Sequence, residues 1–276
     1  MKNYLELIRI KHWIKNCLLF LPLFFSKTYQ IKKVSEVFIG FIVFSFAASF
    51  IYIINDIKDL EKDRLHPYKK NRPLPSKKIT IKSAIVLACF LLFFSILINV
   101  KLQFKSTFLI LLYILLNLFY SFGLKNFPIL DVLLLISGFI IRIYYGALII
   151  DVEVSKWLFL TVFCTAMFLG FGKRKKEIEI HSSSKRKVLK EYNVDYLNNI
   201  MNVSVTLSIV FYSLWALEQS NTIIIYTIPI IIIIFLEYLY SYQKSNNDDP
   251  IIIFYGNKYI VATVLIYVII MFFCLI

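Results

Sequence analysis

The residues best placed to do chemistry lie in one short run, Asn55-Asp56-Ile57-Lys58-Asp59-Leu60-Glu61-Lys62-Asp63-Arg64. Asn55, Asp59 and Asp63 recur every four residues, so on a helix they share a face, and Asp56 joins its edge. Carboxylates gathered at 4–6 Å repel one another unless a cation lies between them. Hard oxygen donors in this number suit Mg²⁺, which keeps several waters and binds through a few carboxylates together with substrate phosphates. The spacing therefore predicts a metal face formed by Asn55, Asp56, Asp59 and Asp63. The chain continues through Arg64, His66, Pro67, Lys69, Lys70, Arg72, Pro73 and Pro75. Its cations fit phosphate oxygens around such a metal, and its prolines prevent a continuous helix. Arg64, His66, Lys69 and Arg72 are accordingly read as anion ligands. The bland alternative, ordinary solvated charge, explains the composition of this run but not cations placed directly beside acids.

A second basic run reads Lys173-Arg174-Lys175-Lys176-Glu177, with no aspartate until Asp195. Lys173 and Arg174 are candidates for phosphate contact. Glu177, four residues after Lys173, would orient the cations or hold a metal-bound water. Lys175, Lys176, Lys185, Arg186 and Lys187 read as membrane-surface charge. Arg142 stands inside an apolar stretch, where a charge costs at least about 2.5–3.5 kcal/mol. Asp131 precedes it by eleven residues, about 16 Å along a helix at 1.5 Å per residue, too far for a direct ion pair. Another partner is required, and a bound phosphate fits.

These groups must be held by the rest of the chain, which is strongly apolar. Of 276 residues, 59% are hydrophobic and 17% charged, and mean hydropathy is +0.73. That composition excludes a disordered chain, a collagen-like chain and a disulfide-stapled secreted domain. The four cysteines lack metal-ligand spacing, and the basic N-terminal stretch shows no cleavage-site pattern. Nine apolar blocks approach the roughly 20 residues a helical span needs, at about 14–30, 34–56, 80–100, 104–122, 128–150, 155–172, 198–218, 221–241 and 257–276. The first is interrupted by Pro22 and the sixth is short. Continuous Leu/Ile/Phe runs, without dyad alternation, favour helices over a membrane barrel. The expectation is a single all-α, polytopic membrane domain over 1–276: nine transmembrane helices around a central cavity open to the cytoplasm.

The formal net charge is +14. If the N-terminus is cytoplasmic, only Lys27, Lys32, Lys33, Lys101, Lys105 and Lys156 fall on the opposite side and Arg142 lies mid-span. The remaining Lys and Arg are cytoplasmic, so the N-terminus is expected inside and the C-terminus outside. The two long charged loops, about 57–79 and 173–197, then share the cytoplasmic face, where the chemistry is expected. This distribution fits a membrane surface and anionic substrates, not nucleic acid.

The run Asn55-Asp56-x-x-Asp59-x-x-x-Asp63 at the end of the second apolar block resembles the first aspartate-rich motif of the UbiA-type membrane prenyltransferases. Three further segments narrow the resemblance. They are Arg9-Ile10-Lys11-His12-Trp13-Ile14-Lys15-Asn16; Tyr120 to Asp131, with Gly138, Arg142 and Gly146; and Gly170-Phe171-Gly172-Lys173-Arg174 with Glu177. Together these are similar to the decaprenyl-phosphate phosphoribosyltransferase branch. The resemblance implies Mg²⁺-dependent transfer of 5-phosphoribose from phosphoribosyl pyrophosphate to a polyprenyl phosphate in a bacterial or archaeal cell membrane. It implies that the metal face holds the donor's diphosphate and that His66, Lys69, Arg72, Lys173 and Arg174 bind phosphate oxygens. It makes Lys15, Asn16, Tyr120, Lys125 and Arg142 candidates on the lipid-phosphate side. Typical members carry a second aspartate cluster where this chain has Lys173 to Lys176, which counts against the alternative of prenyl transfer to an aromatic acceptor. A transporter, the reading from another class, predicts ionisable residues along a full path. Here only Asp131, Arg142 and Glu237 lie deep.

Overall fold

The structure, a computed structural model, describes residues 2–65, 69–180 and 187–275. His66, expected as an anion ligand, and the segment 181–186 lie outside the described residues. The described residues form helices and no strands. They divide into two compact units, Met1–Phe122 with Ile141–Glu153, and Gly123–Ile140 with Val154–Ile276.

The first unit contains α1 (Lys2–Leu7), a 3₁₀ segment (Ile10–Phe20), α2 (Leu21–Phe25), α3 (Ile31–Lys58), α4 (Leu60–Arg64), α5 (Ile81–Leu102), α6 (Thr107–Phe122) and the second half of α7 (Leu130–Ile149). The first half of α7 belongs to the second unit, with α8 (Lys156–Ile180), α9 (Val194–Leu217), α10 (Ile228–Lys244), α11 (Pro250–Gly256) and α12 (Lys258–Leu275).

Among the described residues eight helices are long and apolar enough to cross a membrane, beginning with Ile31–Lys58. The block expected at about 14–30 differs from the expectation of a single helix. It is a 3₁₀ segment that runs into the five-residue α2, with Pro22 in the first turn of that helix. Proline has no N–H to donate to the carbonyl four residues back and its ring crowds that carbonyl, so an α-helix cannot run through position 22 undisturbed.

Two features of the first unit position functional side chains. Small buried residues, Ala47, Ala48 and Ser49 on α3 and Ala84 and Ala88 on α5, line the interior, and the Ser95 hydroxyl donates to the Val43 carbonyl at 3.0 Å. They let α3 and α5 run close together, which fixes the end of α3. On α7, a side chain at Gly146 would stand 2.1 Å from the Leu19 carbonyl oxygen. Only glycine permits this approach of the 3₁₀ segment. One turn back on each element are Arg142 and Asn16, which meet as a result.

The second unit has its own core, in which Val132 and Ile136 of α7 pack with Phe168 and Phe171 of α8 and with Leu197 and Met201 of α9. Asn193 caps α9, its side chain accepting from the Asp195 N–H at 2.8 Å.

Candidate functional site

The acidic run leaves α3 as the spacing predicts, but the carboxylates it brings together are Asp56 and Asp63. The helix breaks at Asp59, which has φ −91° and ψ 10°. Hydrogen bonds nevertheless carry the helical path across the break, Asp59 N–H to Asn55 O and Asp63 N–H to Asp59 O, both at 2.9 Å. Asp56 and Asp63, two turns apart, therefore keep one face and are both 5% exposed. Arg72 joins them: its Nη1 donates to Asp63 Oδ2 at 2.8 Å and to Asp56 Oδ1 at 3.3 Å. Arg9 donates through Nη2 to the same Asp56 oxygen. Asp59 lies further out, its side chain 31% exposed and 3.8 Å from Lys62 Nζ. The Asn55 amide oxygen accepts from the Ser121 hydroxyl, and Lys58 donates to the Ser121 carbonyl at 2.7 Å. Arg64 points away to Glu61 at 2.6 Å, and Lys69 is exposed.

The loop that delivers Arg72 is built by its neighbours. A 3₁₀ turn, Lys69–Asn71, precedes it. The Arg72 carbonyl accepts from the Ser76 hydroxyl at 2.6 Å. Ile79 N–H bonds the Pro73 carbonyl at 3.2 Å. Leu74 and Ile79 are buried with Leu60 and Ile53. The loop is thus anchored on both sides of Arg72, and prolines 73 and 75 limit its alternatives.

The donor set fits a divalent cation in part. Two buried carboxylates already converge on one cationic nitrogen, so both reach a shared cation. Among the described residues no three His, Cys, Asp or Glu side chains are grouped so as to hold a metal ion alone. Mg²⁺ does not need such a cage, because waters and substrate phosphates complete its octahedron. Asp56 and Asp63 would supply the protein ligands, with Asp59 and Asn55 adjoining.

A second polar set lies inside the same unit. Arg142, 4% exposed, donates from Nε to Asn16 Oδ1 at 2.7 Å and from Nη2 to the Tyr113 hydroxyl at 3.2 Å. Its guanidinium stacks over the Phe44 and Tyr113 rings at 5.1 and 5.0 Å. Asn16 donates onward to the Ser45 hydroxyl at 2.8 Å. Neutral acceptors and ring faces are thus among the neighbours of this mid-span charge. Lys15, next to Asn16, is half-buried, as is Tyr120 near the end of α6.

In the second unit, Arg174 is fully buried. Its Nε donates to Asp131 Oδ2 at 2.6 Å and its Nη1 to both Glu177 oxygens at 2.9 Å. The Tyr192 hydroxyl donates to Asp131 Oδ1 at 2.6 Å and accepts from the Ile129 N–H at 2.7 Å. Burial, and then the bond to the Asp131 carboxylate, hold the Tyr192 hydroxyl well above the ordinary tyrosine value, so it stays a donor. Asp131 therefore has its partners here, and Arg174 sits in a closed network. Lys173 is the accessible member of its run, 33% exposed and 4.0 Å from Asp248. Lys125 is half-buried in a 3₁₀ turn, Leu124–Asn126. Lys176 departs from the expected surface position. It is 6% exposed, bonded to Glu179 at 3.2 Å and lying 4.8 Å from the Tyr242 ring centre, because α8 continues to Ile180 and turns this side chain inward. Glu237, expected deep in the apolar blocks, accepts from Asn257 at 3.0 Å.

Spacing missed Arg9 and Tyr192. The only signal for either was a charge or a hydroxyl near a motif, with no indication of which distant acid it would meet.

Comparison with known proteins follows the same lines. The pattern of the UbiA prenyltransferase family matches residues 17–261. A decaprenyl-phosphate phosphoribosyltransferase of Mycolicibacterium smegmatis is 35% identical over 225 residues, covering 79% of this chain and 71% of that protein. One of the same name from Corynebacterium glutamicum is 32% identical over 229 residues, covering 79% and 68%. A solved UbiA homologue from Archaeoglobus fulgidus, bound to GPP and Mg²⁺, superposes with a TM-score of 0.74 over 99% of each chain at 18% identity, a likeness of fold.

Proposed function

The chain belongs to the UbiA prenyltransferase family, and from that premise we propose that it transfers 5-phosphoribose from phosphoribosyl pyrophosphate to a polyprenyl phosphate, releasing pyrophosphate. The observation that carries this reading is the buried pair Asp56 and Asp63 converging on Arg72. The names of the relatives and the basic run at Lys173 direct it to a phosphate-rich donor and a phosphate acceptor.

The diphosphate of the donor binds at the Asp56/Asp63 face, with Asp59 and Asn55 beside it. Mg²⁺, when bound there, neutralises charge that builds on the leaving diphosphate. Arg72 turns from the carboxylates to phosphate oxygens, and Arg64 and Lys69 add charge at the rim. The C1–oxygen bond breaks with its electron pair going to pyrophosphate, and a lipid phosphate oxygen forms the new bond to C1. An anionic phosphate nucleophile needs no strong general base, which agrees with a sequence that offers no Ser/His/Asp set. In the first unit Lys15 and Tyr120 are assigned to the lipid phosphate, and the family resemblance adds Lys125 as a candidate. Arg142 is a positioning residue that fixes Asn16 and Tyr113. The family resemblance makes Lys173 a candidate for the donor's 5-phosphate, and within the second unit Arg174 and Glu177 hold the end of α8 in place. The protein is integral to the membrane, and we place its N-terminus and the loops after α3 and α8 on the cytoplasmic side, from the distribution of Lys and Arg.

Pyrophosphate release by purified protein tests this. It should require phosphoribosyl pyrophosphate, polyprenyl phosphate and Mg²⁺ together, stop with EDTA and resume when Mg²⁺ is restored. Release that persists in EDTA would remove the metal from the reading.

A further inference from the structure

Arg9 has no role in the reading above, yet it is bonded to Asp56 of the metal face. It adopts the left-handed region, φ 54° and ψ 52°, uncommon for a residue with a side chain. This places its guanidinium 5.0 Å from the Tyr52 ring centre and against the Asp56 carboxylate. Tyr52 and Asp56 are one turn apart on α3, so one helix face receives both contacts. Arg9 and Arg72 together bring two positive charges to the two negative charges of Asp56 and Asp63.

These four side chains balance in charge before any metal arrives. A free divalent cation entering between Asp56 and Asp63 with both guanidiniums in place would leave these four side chains and the metal two charges positive, among side chains largely withdrawn from water. Repulsion between like charges in such a site opposes that step. A cation that arrives with a polyphosphate brings its own anion. The arginines, 21% and 32% exposed, can then swing to phosphate oxygens without leaving a buried charge unpaired.

We propose that Arg9 is a specificity residue of this site: with Arg72 it makes the Asp56/Asp63 pair reject free divalent cations and accept a metal–polyphosphate complex. The inference rests on the assignment of Asp56 and Asp63 as metal ligands. A residue that merely held α1 in place would weaken metal binding when removed. Arg9 as proposed predicts the opposite sign.

The test is titration of the purified full chain with Mn²⁺, followed by electron paramagnetic resonance of the free ion, with and without inorganic pyrophosphate. Wild type should bind Mn²⁺ weakly alone and much more tightly with pyrophosphate. Arg9→Ala should bind Mn²⁺ alone about tenfold more tightly than wild type, the scale of removing one nearby positive charge from a partly screened site, and should lose much of the gain from pyrophosphate. Arg9→Lys, which keeps the charge, should behave as wild type. Thermal unfolding in the same detergent shows which variants are folded, and Arg9→Gln gives a second charge-removing variant should Arg9→Ala prove unfolded. Unchanged or weaker Mn²⁺ binding in the folded charge-removing variant overturns the inference about Arg9 alone. Mn²⁺ binding that Asp56→Asn and Asp63→Asn both leave unchanged, or that is absent throughout, instead overturns the metal assignment on which it rests.

Discussion

Two clusters in this protein are assembled from the same chemical parts. In the first unit Arg9 and Arg72 hold Asp56 and Asp63, with side chains 21% and 32% exposed for the arginines. In the second, Arg174 holds Asp131 and Glu177 at 1% exposure, and Tyr192 closes the remaining carboxylate oxygen. A guanidinium that reaches water can exchange a carboxylate for an incoming phosphate. One sealed inside cannot, because leaving would strand an unpaired charge in a low-dielectric interior. The first cluster has the character of a site and the second that of a strut, although the second lies in the basic run that looked suited to binding anions.

The largest effect that would sharpen this contrast is expected at the site. Asp63→Asn should lower turnover by about 10³-fold or more, roughly 4 kcal/mol of transition-state stabilisation, while the thermal unfolding midpoint in detergent changes little. Near-normal turnover would break the contrast on that side. Next comes the strut. Arg174→Met should leave Asp131 and Glu177 buried without their cation and cost about 3–5 kcal/mol of stability, read as a large fall in the unfolding midpoint. A folded Arg174→Met protein with normal stability and lost donor affinity would show that Arg174 binds substrate after all. Arg142→Met should cost about 1–3 kcal/mol, because Asn16 loses its donor, and turnover should fall by a smaller factor than for Asp63→Asn. The smallest effect belongs to the exposed rim: Lys62→Ala removes a 3.8 Å pair with Asp59 at a side chain 82% exposed and should stay within about 0.5 kcal/mol of wild type.

Much of this was legible in the sequence because it depends on spacing within one element. Among the described residues the eight long apolar helices follow from hydropathy, whereas helical period puts Asn55, Asp59 and Asp63 on one face with Asp56 at its edge, and the pair buried together is Asp56 and Asp63. The break at Asp59 barely disturbs that face, since the bonds from Asp59 to Asn55 and from Asp63 to Asp59 continue across it. The 3₁₀ form of Ile10–Phe20 was only hinted at by Pro22. What spacing does not encode is which elements meet. Arg9 reaches Asp56 across 47 residues and Arg174 reaches Asp131 across 43. Burial was misjudged for the same reason: Lys176 looks like surface charge in a run of four cations, but its place on α8 turns it onto Tyr242 and Glu179. The need for glycine at 146 comes from the 3₁₀ segment packed against it, not from its neighbours in sequence.

The central claim is the group transferred. Purified protein incubated with Mg²⁺, phosphoribosyl pyrophosphate and decaprenyl phosphate, with the lipid fraction analysed by mass spectrometry, tests it directly. The expected product is a lipid heavier by one phosphoribosyl group, formed in step with pyrophosphate and absent from the Asp63→Asn protein. An unmodified lipid, alongside turnover of a prenyl diphosphate with an aromatic acid by the same preparation, would contradict it.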